Sequence, residues 1–302
     1  MNQKNVAYIE LTFAMVIVGS LSVVGKKVIE VFPVMLSSLI ALMLASIGMY
    51  FVHRVMVGHV PKLNFLQLKL IGLQTLFGVV LFRVFFLYGL YWSSASMAGI
   101  LIALTPVVIA LLSMCILREK VSPSVMAGIL FCMIGVAICQ SSELMLSRNW
   151  WVLAGVGLIL LAMICEAMFT VFRKKLTYES LNPITSNFYL CVIGSVLFLP
   201  FGIYDLQNFD LLSTTSTDWI PILYTAVFVN IISFILWFSG VDKVDATVAG
   251  VFTVIMPITS LILSAMILGE MITWTMIIGM VIIIMGLLLV IYSPDELPQS
   301  AS

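Results

Sequence analysis

The chain carries one stretch twice. Residues 95–119 read ASMAGILIALTPVVIALLSMCILRE, and 246–270, lying 151 positions further on, read ATVAGVFTVIMPITSLILSAMILGE. Ala95, Ala98, Gly99, Pro106, Ser113, Leu117 and Glu119 recur as Ala246, Ala249, Gly250, Pro257, Ser264, Leu268 and Glu270. The register runs on without a gap, from Gly89/Gly240 to Gly128/Gly279 and Gly135/Gly286. Of the 48 pairs between 89–136 and 240–287, 12 are identical. Apolar residues coincide by chance, so the weight rests on the matched Gly, Ala, Pro and Glu, where backbone geometry or charge is at stake. Two copies in one chain define a duplicated architecture.

Composition decides where such a duplication can live. The 302 residues are 62% hydrophobic and 9% charged, with a mean hydropathy of +1.20. A soluble domain carries about 25% charged residues, so this chain could not cover a water-facing surface. It is a polytopic membrane protein whose first partner is the lipid bilayer. Fourteen basic residues balance fourteen acidic ones, and no basic face argues for nucleic acid. Cys115, Cys132, Cys139, Cys165 and Cys191 all lie in apolar segments without CxxC spacing, which favours packing over disulfides or metal. The basic start lacks a small-x-small cleavage site, so the first apolar run reads as a retained helix.

A spanning helix needs about 20 mostly apolar residues. Ten stretches qualify, near 6–24, 34–52, 70–91, 95–117, 124–140, 151–172, 184–203, 218–239, 245–268 and 273–292. The breaks between them combine charge with Pro, Asn or Ser. With the N-terminus inside, the inner loops hold ten Lys and Arg (Lys4, Arg54, Lys62, Lys69, Arg118, Lys120, Arg173, Lys174, Lys175, Lys243) and the outer loops three (Lys26, Lys27, Arg148). Both termini are therefore expected in the cytoplasm, in a cell (inner) membrane. The expected fold is an all-α membrane protein of ten transmembrane helices, built as five-helix repeats over 6–140 and 151–292. Five is odd, so the second copy enters the membrane from the opposite face. Inverted repeats of this kind frame the central substrate site of many secondary transporters.

The fourth stretch, with its flanks, reads YWSSASMAGILIALTPVVIALLSMCILREKVS, which resembles the signature of the drug/metabolite transporter superfamily, EamA type. The second copy's AxxAG…MP…LGE is similar to it. Gly19-Ser20 with the later Lys26, Phe32-Pro33, and Thr170 to Lys174 also resemble family segments. The likeness covers about 6–292. It implies a gradient-driven carrier of small metabolites such as amino acids, often an exporter, with protons as a coupling ion. The chain departs from the family pattern at Val18, Ile40 and Glu166, which leaves the substrate open.

Three ionisable residues fall within predicted spans: Glu10, Arg83 and Glu166. A charge at mid-membrane costs about 2.5–3.5 kcal/mol on the gentlest scale, so such residues face a partner or a water-filled cavity. Glu10 lies one turn into its helix and can snorkel to the interface. Arg83 and Glu166 lie deeper, and three readings stand. They line a central cavity, Arg83 for a substrate carboxylate and Glu166 as proton acceptor or amine partner; or they form one static ion pair; or each snorkels separately. Tyr88, Trp237 and Asn230 are further candidates for substrate contact, with interfacial anchoring the plainer role for Trp237. Pro106 and Pro257 each remove a helical hydrogen bond, which predicts a symmetric pair of bends, gating or structural.

Gly128/Gly135 and Gly279/Gly286, seven apart, suit close helix packing within the chain or across a homodimer seam. Glu119 and Glu270 sit at helix C-termini, where the dipole disfavours an anion, so each requires a compensating partner; Arg118 and Lys120 are local candidates for Glu119. The chain contains no HExxH, GxSxG or P-loop, which argues against an enzyme or an ATP-driven pump and predicts no cofactor. A non-transporting membrane subunit or receptor is the alternative to a carrier of a small-molecule substrate.

Overall fold

The computed structural model of the protein describes residues 3–58, 62–92, 105–119, 121–139, 150–268 and 273–292. Among the described residues the fold is helical throughout, and its rods follow the apolar stretches of the sequence. They are α1 (Gln3–Val31), α2 (Val34–Met56), α3 (Phe65–Thr75, Leu76–Leu81 and Phe82–Trp92 in one run) and α4 (Thr105–Leu112 and Ser113–Leu117). Then come α5 (Pro123–Cys139), α6 (Trp150–Tyr178), α7 (Pro183–Gln207) and α8 (Trp219–Tyr224, Thr225–Ser233 and Phe234–Lys243). The last are α9 (Ala246–Val251, Phe252–Val254, Ile255–Leu263 and Ser264–Leu268) and α10 (Trp274–Ile291). Seven rods are long and apolar enough to cross a bilayer; the described parts of α4, α5 and α10 hold shorter apolar helices. This is an all-α, multi-pass membrane fold.

Several helices run past their expected bounds, two of them by six residues or more and for different reasons. α1 continues through Lys26 and Lys27 to Val31, because the stop is Pro33, whose ring disfavours helical geometry in the residue before it. α6 continues past 172 to Tyr178, because Arg173 and Lys174 are not loop residues. They are buried and hydrogen-bonded within the protein. Of the ten inner-loop charges, these two therefore do not face solvent. The first half of the predicted fourth span, 95–104, lies outside the described residues.

The duplication is visible in local geometry. α3 and α8 each contain a π-helical run, Leu76–Leu81 and Thr225–Ser233, and shifting the first by 151 places it inside the second. α4 and α9 end in π-helical turns at Ser113–Leu117 and Ser264–Leu268, which the same shift superposes residue for residue. A π turn inserts one residue into the ladder and frees backbone groups, and such turns gather at functional places.

Packing repeats the pattern, with each half's helices set mainly against those of the other. α1 packs on α8 and α9, α6 on α3 and α4, α2 on α7, and α5 on α10. The α5–α10 seam shows how the sequence permits this. A methyl group on Gly135 would lie 2.7 Å from the Gly279 carbonyl oxygen, and one on Gly286 would lie 2.7 Å from the Gly128 carbonyl oxygen. Each glycine of one copy thus meets its counterpart's partner in the other, with the two helices antiparallel. The four glycines are used inside the chain rather than at a homodimer seam.

The central core gathers Leu11, Met15, Leu39, Leu42, Val79, Val80, Phe169, Phe198, Trp237, Phe238 and Phe252 from α1, α2, α3, α6, α7, α8 and α9. α9 tightens into a 3₁₀ turn at Phe252–Val254, just before Pro257. Proline leaves the carbonyl four residues back without its usual donor, and that carbonyl belongs to Thr253. Pro106 is the second residue of the described part of α4.

Candidate functional site

α3 and α6 run antiparallel, which fixes the relation of the two deep charges. Gly78 packs on Phe169, and Gly89 packs on Gly155 and Ile159. Arg83 lies between the two glycines along α3, and Glu166 lies between Ile159 and Phe169 along α6. Extending α6 to Tyr178 sets Glu166 twelve residues from that end, about 18 Å at 1.5 Å per residue. Both side chains are half-buried.

They do not neutralise each other. Both ion pairs with described partners lie elsewhere, between Arg173 and Asp242 and between Lys243 and Glu10. The Arg83 guanidinium sits over the Phe198 ring of α7, 5.9 Å from its centroid, and no hydrogen bond or carboxylate meets it among the described residues. A cation over an aromatic face gains about 0.5–2 kcal/mol, less than the cost of an intramembrane charge. Thr105 of α4 approaches the Glu166 carboxylate, yet its buried hydroxyl reaches hydrogen-bonding geometry with nothing. The static pair is therefore absent, and neither side chain has an ionic partner among the described residues.

Further polar groups ring the same core. Gln74 of α3 is fully buried; it donates to the Phe169 carbonyl at 3.4 Å and leaves its own oxygen unpartnered. Trp237 is 4% exposed and its indole N–H has no acceptor. Interfacial anchoring is thus the wrong role for Trp237, because α8 turns the ring into the core. Asn230 lies in the π-helical run of α8, where the carbonyls of Asn230 and Ile231 accept from Asn187 Nδ2 of α7 at 3.0 and 3.3 Å. A buried asparagine holds the π turn in place by satisfying carbonyls that the turn displaces. Tyr88 is not brought into this group. It is 54% exposed and packs beside Trp92, which in turn meets Trp151 at 5.4 Å, an aromatic girdle of the kind found at membrane interfaces.

A second polar cluster sits at the end of the bundle where α1 begins. Arg173 is fully buried; it donates to Asp242 through Nε at 3.0 Å, to Ser186 at 2.6 Å and to the Leu181 carbonyl at 3.2 Å. Thr177 donates to the same Asp242 carboxylate. Lys174 donates to the Val241 and Val244 carbonyls at the C-terminus of α8, where a cation suits the helix dipole. Glu10 does not snorkel alone; it pairs with Lys243 at 2.6 Å and accepts from Ser239 at 3.0 Å.

Glu119 answers its helix-end problem in a way the sequence did not foretell. Its carboxylate accepts from the Ala246 and Thr247 amides at 2.9 and 3.2 Å and from the Thr247 hydroxyl at 3.1 Å. The first copy's signature glutamate caps the second copy's signature helix, while Asp245, at the N-cap position, makes no cap bond. Arg118 is not the partner found, and Lys120 lies outside the described residues. Burial pushes the Glu119 carboxyl above its ordinary range, helped by the charge of Asp245 and opposed by the two amides and Lys174. Glu270 lies outside the described residues.

Sequence reasoning missed Asp242 and the Glu119 cap. The Lys-Lys after Arg173 read as a loop, and only the packing of α6 on the α8–α9 turn reveals otherwise. The VDKVDA run was the available signal, since two aspartates flanking a helix start invite a buried cation.

A helical, lipid-embedded bundle whose two halves interlock around uncompensated charge is the build of a membrane transporter. The comparisons agree. A model of the EamA-like transporter family matches residues 6–139 and 153–292, and the chain belongs to that family. The chain is 35% identical over 298 residues to the Bacillus subtilis protein called uncharacterized transporter YetK, covering 97% of this chain and 90% of that one. An Archaeoglobus fulgidus protein, also called an uncharacterized transporter, is 27% identical over 219 residues, 72% of this chain and 75% of that one. A solved crystal structure at 15% identity superposes with a TM-score of 0.80 over 94% of this chain and 97% of its own, which shows the shared fold. The protein is a membrane-embedded secondary transporter of small molecules, not an enzyme.

Proposed function

We propose that the protein exports amino acids or related small amphipathic metabolites across the inner membrane by alternating access, driven by an ion gradient. Ten helices form two inverted five-helix repeats over 6–140 and 151–292, and the substrate lies between the halves. The observation that carries this reading is the pair of uncompensated charges. Arg83 and Glu166 lie on facing helices of opposite halves, and neither has an ionic partner among the described residues. Holding opposite charges apart inside a bilayer is costly, and a substrate bearing both a carboxylate and an amine would compensate both.

In this account Arg83 takes the carboxylate, with Phe198 holding the guanidinium in place. Glu166 takes the amine, or a proton when the amine leaves, so protons serve as the coupling ion. The indole N–H of Trp237 and the side chain of Asn230 contribute hydrogen bonds. Pro106 and Pro257 shape the frame, and a 3₁₀ turn at Phe252–Val254 precedes Pro257. The matched π turns and the reciprocal glycine contacts of α5 and α10 support the inverted repeat.

A ligand-dependent thermal shift across amino acids and small metabolites tests the site. Stabilisation by a zwitterionic ligand is expected in the wild type and should vanish in Arg83→Met and in Glu166→Gln. A double variant that still binds and transports normally removes both residues from the site.

A further inference from the structure

We propose that the polar cluster where α1 begins is a gate that holds that end of the bundle shut between transport steps, through an ion pair that has no equivalent among the described residues of the opposite end. The proposal rests on the carrier reading above, since a gate presupposes alternating access. It starts from which half each contact joins. Glu10 of the first half grips Lys243 and Ser239 of the second. Glu119 of the first half grips the N-terminus of α9 in the second through three hydrogen bonds. Both grips close on one short segment, the α8–α9 turn.

That segment is itself made rigid. Arg173 fastens Asp242, one residue from Lys243, and Lys174 fastens the Val241 and Val244 carbonyls on either side. Arg173 is fully buried and tied to α7 through Ser186. Pulling on Lys243 or Ala246 therefore pulls on α6, α7, α8 and α9 together. A tie between halves transmits force only if its anchor does not yield, and these anchors are charge-assisted hydrogen bonds, the stronger kind.

The repeat shows that the ion-pairing residues, though not the capping glutamate, belong to one end. Shifting by 151 takes Glu10 to Leu161, Lys243 to Trp92, Arg173 to Ser22, Lys174 to Val23 and Asp242 to Tyr91, none of them charged. Glu119 recurs as Glu270, which lies outside the described residues. The described ties between halves toward the other end are a hydroxyl pair, Ser20 to Tyr224 at 2.7 Å, and the Leu36 amide to Asp205 at 3.2 Å. Opening the α1-start end breaks an ion pair and the Glu119 cap; among the described residues, opening the other end breaks the Asp205 cap of α2 but no ion pair. The ligand-free protein should therefore favour the conformation closed where α1 begins, with the substrate entering or leaving at the opposite face until its binding drives the change.

Hydrogen exchange of the purified full chain in nanodiscs, read by mass spectrometry, tests the gate. Lys243→Met removes the ion pair, Glu119→Ala removes the cap, and Glu10→Lys/Lys243→Glu reverses the pair. The expected result is faster exchange over 243–250, by about threefold for Lys243→Met and roughly tenfold for Glu119→Ala. It should be accompanied by slower exchange at the opposite end, over 32–37 and 219–225, and the reversed pair should restore wild-type rates. Faster exchange confined to 243–250, or no change, overturns the gate, because packing alone has no reason to tighten the far end. If Glu119→Ala fails to fold, Lys243→Met and the reversed pair still decide. Substrate flux is measured on the same proteins in vesicles. A reciprocal exchange response without wild-type flux sinks the carrier reading and leaves the cluster a latch between two conformations rather than a transport gate; flux without a reciprocal response keeps the carrier reading and overturns the gate.

Discussion

Adding one methyl group at Gly135 tests the seam on which the two halves meet. The new carbon would lie 2.7 Å from the Gly279 carbonyl oxygen, 2.7 Å from Ile283 Cγ1 and 2.8 Å from the Ile283 amide nitrogen. Non-bonded carbon contacts are comfortable near 3.5–4.0 Å. Two of the three obstacles are backbone, so α5 and α10 must part by roughly 0.7 Å or more. Overpacking of this kind costs about 1–3 kcal/mol, and rigid obstacles place Gly135→Ala in the upper half of that range. Alanine returns about 0.5–1 kcal/mol through its better helix propensity, leaving a net loss of about 1–2.5 kcal/mol. At about 2–4 °C per kcal/mol for chains of this size, thermal unfolding in detergent should fall by about 2–10 °C. Gly157→Ala is the control: nothing lies within 4 Å of the added carbon, so it should be neutral or stabilised by about 0.5–1 kcal/mol. Gly286→Ala, pressed against the Gly128 carbonyl oxygen and Cys132, should cost as much as Gly135→Ala. The double variant should cost less than the sum, because one separation relieves both clashes. Gly135→Ala matching Gly157→Ala in stability would refute the close antiparallel seam.

Four further outcomes follow from the contacts. Asn187→Leu leaves the Asn230 and Ile231 carbonyls without their donor and should lower stability by about 1–3 kcal/mol, read as a fall in unfolding temperature. Trp237→Phe removes an N–H that has no protein acceptor, so unfolding temperature should hold while substrate KM rises about fivefold to tenfold, the worth of one hydrogen bond. Arg173→Met strands Asp242 in a half-buried site and should cost about 3–5 kcal/mol, seen as poor yield or early unfolding. The Glu119 carboxyl is raised above its ordinary value when α9 is docked. The docked state therefore holds its proton more tightly, and docking is favoured below the ordinary glutamate range and weakens as pH rises through the raised value. After correction for intrinsic rates, amide exchange at 246–250 should be slower in mild acid than at neutral pH; the opposite trend contradicts that shift.

The rods were legible in the sequence because bilayer thickness leaves little choice: about 20 apolar residues make a span, and few polar residues interrupt one. The duplicated Gly, Ala and Pro positions were legible for a related reason, since close helix approach tolerates few residue types. The Gly135–Gly279 and Gly128–Gly286 contacts repay that reading directly. What the sequence hid was direction. Nothing in FILWFSGVDK tells which face of α8 turns inward, so Trp237 read as an interfacial anchor although it lies in the core. Charge was hidden too, because Arg173 and Lys174 look like any loop cations until a carboxylate and two helix-end carbonyls are found around them. Glu119 was recognised as needing a partner, but the candidates considered were its chain neighbours. Its true partner lies 127 residues on, at Ala246, and only the packing of the two halves brings it there. Of the site, the two deep charges were found from the cost of burying them, and the absence of an ion pair between them required the structure.

The central claim is transport through a site built on Arg83 and Glu166, and flux into proteoliposomes containing the purified chain alone tests it most directly. Radiolabelled amino acids and small amphipathic metabolites are followed with and without an imposed pH gradient, for the wild type and for Arg83→Met/Glu166→Gln. The account predicts saturable flux of a zwitterionic substrate that the gradient accelerates and the double variant abolishes. Flux unchanged by the double substitution, or none from the wild type for any substrate in the screen, would contradict it.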